Sequence, residues 1–319
     1  MLAGMILMAA AVVGGEWTEG NVRFETGSGT INGIVSAKPS GAYGSKIVAA
    51  YELLRHTGET GPIKKDWLEF DRQMQQATSN RCDRAMTDDN FTCACWRLLE
   101  ARMMCELETA YRGRLPLDPK YVPMNLAAAK FMRERYVKDG MLAKPLRGQA
   151  LPSAFALYLG IVDDRKATAD GLKAALESSS LPSLGAFEWR VVLDALAWNG
   201  KADVAYGLLL KHPRGIDSGA AHSWLWRTAA GIASDPTVLR KTGFRNIIMA
   251  PKSDRRLGFV KAEYKSAAGV IKSAWRYEGG KWIWDFTVPR NSTASVTLPG
   301  QILTRHYDGG DHHIELNLD

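Results

Sequence analysis

Residues 269–289 read GVIKSAWRYEGGKWIWDFTVP, and no other stretch of this chain leaves so little choice of geometry. Gly279-Gly280, set between Glu278 and Lys281, suits a two-residue hairpin because both turn positions need positive φ. That register faces Tyr277 with Trp282, Trp275 with Trp284, Ser273 with Phe286 and Ile271 with Val288. Side chains alternate along a strand, so these eight share one face. Lys272, Arg276, Asp285 and Thr287 take the other, with Ala274 and Ile283 among them. An apolar face opposite a charged one is the pattern of an antiparallel sheet packed on one side. The aromatics therefore read as a core wall. A platform for a sugar or a base would carry them on the polar face.

From Gly243 onward the period is two, and FRNIIMA, FVKAEYK, GVIKSAWRY, KWIWDFTV and SVTL read as strands. From about 45 to 232 it is three to four. In PIKKDWLEFDRQMQQATS the residues Ile63, Trp67, Phe70, Met74 and Ala77 form one stripe, with Pro62 placed to open the helix. Cys95, Leu99, Met103 and Leu107 form the stripe of the next helix. WRVVLDALAWNG stops at Asn199-Gly200, and KADVAYGLLLKH follows as the second arm of a tight helical hairpin. Nine helices are expected here, or ten if the apolar start MLAGMILMAAAVVGG forms one. Residues 15–44, rich in Gly, Ser and Thr, read as a long loop. The expected domains are 1–44 (apolar start and loop), 45–235 (helical) and 236–319 (strands).

At 319 residues the chain is long enough for two cores. Its net charge of +7 is spread without any block of five basic residues, which argues against a nucleic-acid partner. KSDRR at 252–256 is the densest basic patch and reads as a loop tip. Cys82, Cys93, Cys95 and Cys105 crowd one segment without a zinc spacing, and Cys93 and Cys95 point to nearly opposite sides of a helix. No Gly-rich stretch fits a phosphate loop. No metal and no cofactor are expected. The apolar start has no basic residue before Arg23, so it is a poor signal peptide, and it is too short to span a bilayer. Cytoplasm and periplasm both stay open. His306, His312 and His313 in HYDGGDHH invite a metal, but a polar C-terminal tail is the expected reading.

The stretch from AGIASDPTVLRKTGF to SVTLPG resembles the C-terminal part of glycoside hydrolase family 78, the bacterial α-L-rhamnosidases. Gly243, Phe244 and Pro251 carry the likeness, followed by Tyr264, Ser266, Gly269, Ile271, Ser273 and Trp275, and then by Leu298-Pro299. ALYLGIVDD and VVLDALAWNGKADVAYGLLL are similar to later barrel helices of that family. The resemblance implies a mainly α protein with a C-terminal all-β domain, namely an incomplete (α/α)6 six-hairpin barrel followed by an antiparallel β-sandwich. It also implies hydrolysis of terminal α-L-rhamnosides with inversion, which needs an acid and a base carboxyl about 6.5–9.5 Å apart.

Here the chain departs from the family. The loop that reads Gly-Trp-Gly-Asp in the family is AYGS, with Tyr43 at the Trp position and Ser45 at the Asp position. Only Glu16, Glu19 and Glu25 precede residue 42, none in the context of the family acid. After Lys211-His212-Pro213 the base-bearing segment is missing, and no Glu stands between Glu188 and Glu263. Glu188 in GAFEWR is the best surviving catalytic candidate, although a first-turn Glu facing the helix dipole is common, sufficient and the favoured explanation. Tyr43, Trp189, His222 and Trp224 are the substrate-binding candidates. Two functions follow. One is a divergent or shortened rhamnosidase; the other is a non-catalytic carbohydrate-binding or interaction remnant. A barrel short of helices would expose an apolar arc, to be covered by residues 1–44 or by a homodimer, or else expressed as poor stability.

Overall fold

The computed structural model describes residues 22–36, 45–76, 88–178, 181–235 and 242–318. The apolar start and Cys82 lie outside the described residues. By contacts the described residues form two compact units, one holding 45–51, 60–76, 88–178 and 181–205, the other 22–36, 52–59, 206–235 and 242–318. The helices are α1 (Gly29–Ser36), α2 (Lys46–Thr57), α3 (Gly61–Gln76), α4 (Asp88–Arg112), α5 (Tyr121–Tyr136), α6 (Ala150–Leu159), α7 (Arg165–Ser178), α8 (Ala186–Trp198), α9 (Ala202–Lys211) and α10 (Ser218–Trp224). Among the described residues nine of them, α2 to α10, fall between residues 46 and 224.

In the helical unit, α4 packs against α3, α5 and α6, and α6 packs against α7 and α8. The expected stripes are the buried ones: Ile63, Phe70 and Met74 on α3, and Cys95, Leu99, Met103 and Leu107 on α4. Trp67 is half-buried and stacks on Tyr111 with ring centroids 4.2 Å apart. Helix α8 ends at Asn199-Gly200, where Gly200 has φ +74° and Lys201 N–H donates to Leu196 O at 2.9 Å. Only a glycine takes that left-handed position at no steric cost, so the two helical arms can turn in three residues.

The strands of the other unit are β1 (Val22–Thr26), β4 (Ile232–Ser234), β5 (Asn246–Met249), β6 (Phe259–Ser266), β7 (Gly269–Glu278), β8 (Lys281–Thr297) and β9 (Thr304–Asn317); β2 (Val137–Lys138) and β3 (Met141–Leu142) belong to the helical unit. They pair in the order β1-β6-β7-β8-β5-β4, with β9 added along β8. Every pair is antiparallel except β5 with β8, which is parallel. Strand β8 changes neighbour along its length. Lys281–Thr287 pairs with β7, and Thr293–Val296 pairs with β5 beyond a bulge after Val288.

The hairpin is built as its sequence dictates. Gly279 and Gly280 have φ +57° and +76°, and Tyr277–Trp282, Trp275–Trp284 and Ser273–Phe286 are opposed. Ile271 and Val288 are both buried but lie beyond the last ladder pair, where the bulge begins. Trp275, Trp282, Trp284 and Phe286 are buried, each contributing about 4–6 kcal/mol of apolar burial as an upper bound.

The structure is mainly helical with a C-terminal strand domain, the class that the resemblance implies. Two local expectations are corrected. Residues 22–36 are not a loop. VRFET alternates polar and apolar as β1, and Ser28 Oγ accepts the Ile31 N–H to start α1, which buries Ile31 and Ile34. Nor is HYDGGDHHIELN a tail. It forms β9, with Ile314 opposite Trp284 and Leu316 opposite Trp282. Gly309 permits this, because a Cβ there would stand 2.6 Å from Arg290 Cα.

Candidate active site

Glu188 is the third residue of α8, after the cap residue Gly185. Its carboxyl folds back over that cap, since a Cβ on Gly185 would lie 2.7 Å from Oε2. This places a negative charge on the orphan N–H groups of a helix start, where it is favourable without any substrate. The neighbouring Trp189 is buried.

His222 and Trp224 both lie on α10 of the strand unit, and both are wholly buried. The His222 Nε2 is hydrogen-bonded to the Ile34 carbonyl, and burial holds the imidazole below its ordinary pKa, hence neutral near pH 7. Trp224 meets Tyr206 edge to face at 4.8 Å. As placed, neither offers a surface to a sugar. Tyr43 lies outside the described residues.

The turn from α9 to α10 occupies residues 212–217 only. Gly215 N–H donates to His212 O at 3.0 Å, and Asp217 Oδ1 accepts the Ala220 N–H at 3.0 Å, so the link ends directly in a capped helix. It carries no glutamate.

Sequence reasoning missed Glu100. Four carboxyls are buried among the described residues: Glu52, Glu100, Glu108 and Asp194. Glu52 stands 3.7 Å from His56, Glu108 binds Arg112 at 2.8 Å, and Asp194 lies 3.8 Å from Arg190. Glu108 also accepts the Lys120 N–H at 3.1 Å, fixing the start of α5. Glu100 differs in that its partners are neutral. Ser45 Oγ donates to Oε1, and Gln73 Nε2 donates to the same oxygen at 2.9 Å. Burial raises its pKa above the usual carboxylate range, against the downward pull of these two bonds. Beside it, Lys46 is ion-paired with Glu69, which is one helical turn from Gln73. The cluster thus gathers a buried carboxyl and a half-exposed one at the start of α2. A mid-helix Glu has no signature of its own. The available signal was the row Glu100–Met104–Glu108, which runs beside the apolar stripe of α4.

Among the described residues no group of three or more His, Cys, Asp and Glu is placed to hold a metal, and no helix is long and apolar enough to cross a membrane. His313 is engaged instead with Asp285, Nδ1 to Oδ1 at 2.6 Å, and with Glu315.

Residues 233–312 match the family model of the bacterial alpha-L-rhamnosidase C-terminal domain. The alpha-L-rhamnosidase of Streptomyces avermitilis is 26% identical over 190 residues, covering 46% of this chain and 18% of that protein. The crystal structure of the Streptomyces avermitilis enzyme complexed with L-rhamnose superposes with a TM-score of 0.71 at 18% identity, over 85% of this chain and 32% of that one. The native enzyme from Aspergillus terreus gives 0.69 at 15% identity, over 85% and 38%. That from Dictyoglumus thermophilum gives 0.62 at 16%, over 81% and 34%. These structures share the fold, and the chain spans about a third of their length.

Proposed function

From a chain that matches the C-terminal portion of the bacterial α-L-rhamnosidases, we propose a protein that keeps rhamnose-containing carbohydrate as its partner but does not itself complete an inverting acid–base pair. The observation that carries this reading is the six-residue link between α9 and α10, where the family's base segment would stand. Loss of one of two acting carboxyls removes most of the catalysis. The placement of Glu188 over its own helix start supports a capping role. The second reading, a divergent hydrolase, is favoured by Glu100, whose burial shifts the carboxyl toward the protonated form that a proton donor needs.

The test is release of rhamnose from an aryl α-L-rhamnoside by the purified protein, together with binding of the same rhamnoside. Binding without release is expected. Release abolished by Glu100→Gln would overturn the reading in favour of the hydrolase, and release abolished by Glu188→Gln would place the acid on α8.

Self-association belongs to the same proposal. Leu115, Leu117, Val122 and Leu126 are exposed within one short stretch of the helical unit, Leu117 at 94%. This is the kind of apolar surface that a second copy would cover.

A further inference from the structure

The exposed aromatic that the hairpin does not offer stands in the helical unit, where α6 and α8 stop. Trp198, the last residue of α8, is 55% exposed, whereas the other described tryptophans are half-buried or buried. Its ring stacks on that of Tyr158, near the end of α6, with centroids 5.0 Å apart and the planes 23° from parallel. Tyr158 thus covers one face of the indole and steadies it, so the exposed area falls on the other face and the rim. The indole N–H donates to no other described residue.

A guanidinium is set between the same two helix ends. Arg165, the first residue of α7, donates through Nε to Asn199 Oδ1 at 3.0 Å, and Asn199 donates in turn through Nδ2 to Ala195 O at 2.6 Å. On the α6 side, Arg165 Nη1 lies 3.6 Å from where a Cβ on Gly160 would stand. Gly160 closes that helix in the left-handed conformation, φ +63°. The ring stack joins residues 158 and 198, and the guanidinium joins 160 and 199. The last carbonyls of both helices carry negative partial charge, which holds a cation here and weighs against an anionic ligand. Arg133 is already tied to Asp163 at 3.2 Å and to Gly160 O at 3.0 Å. The terminal nitrogens of Arg165, by contrast, form no hydrogen bond or ion pair with another described residue. An open indole face beside uncommitted donors suits an uncharged ring rich in hydroxyls.

We propose that the Trp198–Tyr158 pair is a surface platform for a pyranose ring of a neutral carbohydrate. The sugar lies on the open indole face, and Arg165 donates to its hydroxyls. The assignment rests on the carbohydrate reading above and gives it a place, since Trp189, His222 and Trp224 are buried. A deoxyhexose such as rhamnose suits the platform, because its methyl group adds apolar surface against the ring where a hydroxymethyl group would have to be desolvated.

The test is titration of the isotope-labelled protein with methyl α-L-rhamnopyranoside, methyl β-D-glucopyranoside and inorganic phosphate, read on the indole N–H signals by NMR. Trp198→Phe identifies the Trp198 signal by its loss, and the methyl aglycones offer no ring that could stack by itself. The Trp198 signal should move with the rhamnoside and stay still with phosphate. Affinity from saturation-transfer titration should fall at least tenfold in Trp198→Ala and at least threefold in Arg165→Gln, with an unchanged thermal transition. Rhamnoside binding that leaves the Trp198 signal still and survives Trp198→Ala would overturn this site and keep the carbohydrate reading. The glucoside bound at Trp198 in place of the rhamnoside would keep the site and count against the family partner. Binding of neither sugar would overturn both. A response to phosphate alone would make this an anion site, which also overturns the proposal.

Discussion

The core wall of the hairpin holds a hydroxyl that can be removed without changing its shape. Ser273 is fully buried; its Oγ donates to Ala230 O at 2.7 Å and accepts Trp284 Nε1–H at 3.0 Å. Ser273→Ala leaves that carbonyl and that indole N–H buried and unpaired, at about 1–3 kcal/mol each, or about 2–6 kcal/mol together. Trp284→Phe removes the N–H itself. In that background Ser273→Ala strands only the Ala230 carbonyl and should cost about 1–3 kcal/mol. The two substitutions therefore couple by about 1–3 kcal/mol, with the double variant more stable than the sum of the singles predicts. Urea unfolding followed by near-ultraviolet circular dichroism measures it, with Trp275, Trp282 and Trp284 among the tryptophans that give the signal. Additivity within about 0.5 kcal/mol would refute the argument, because the orphaned indole would then have no energetic weight.

Glu100 is shifted upward by burial, so folding favours its protonated form. The stability it contributes is complete below pH 4.5 and falls as pH rises through the raised value. Glu100→Gln should accordingly match the wild type near pH 4 and melt higher at pH 8; equal melting at pH 8 would contradict this. Asp285, and after it Glu315, lift His313 above its ordinary value of 6.5, so the charged pair is fully formed below 6.5 and is lost only as pH rises through the raised value. In Asp285→Asn the His313 titration followed by NMR should move down, and no movement would remove the cause. Leu126→Glu should turn a dimer into a monomer by light scattering, whereas a monomeric wild type would end the proposal of self-association.

Much of the architecture is legible from local spacing. The Gly279-Gly280 hairpin, the stripes of α3 and α4 and the Asn199-Gly200 stop each depend on neighbours in sequence, so pattern alone locates them. Strand β9 escaped because its Gly309-Gly310 and His312-His313 look like tail composition; its alternation becomes visible only against the buried partners of β8. Helix α1 was hidden by the same bias, since its glycines outweighed the Ser28 cap and the Ile31–Ile34 spacing. The row Glu100–Met104–Glu108 marks a face of α4, but the cluster around Glu100 is not in it. That cluster joins Ser45, Gln73 and Glu100, and only the packed helices bring the three together.

One pairing also sets a timetable. Val22 in β1 meets Tyr264 in β6, a partner about 240 residues downstream. At about 5–20 residues per second of synthesis, β1 leaves the ribosome and then waits about 12–48 s before its partner exists. Through that interval a strand with apolar alternate positions stands without its ladder, whereas β7 and β8 can zip within moments of being made. Among the described strands the one made first thus cannot be seated until β6 exists, and chaperone contact with the nascent chain should concentrate there.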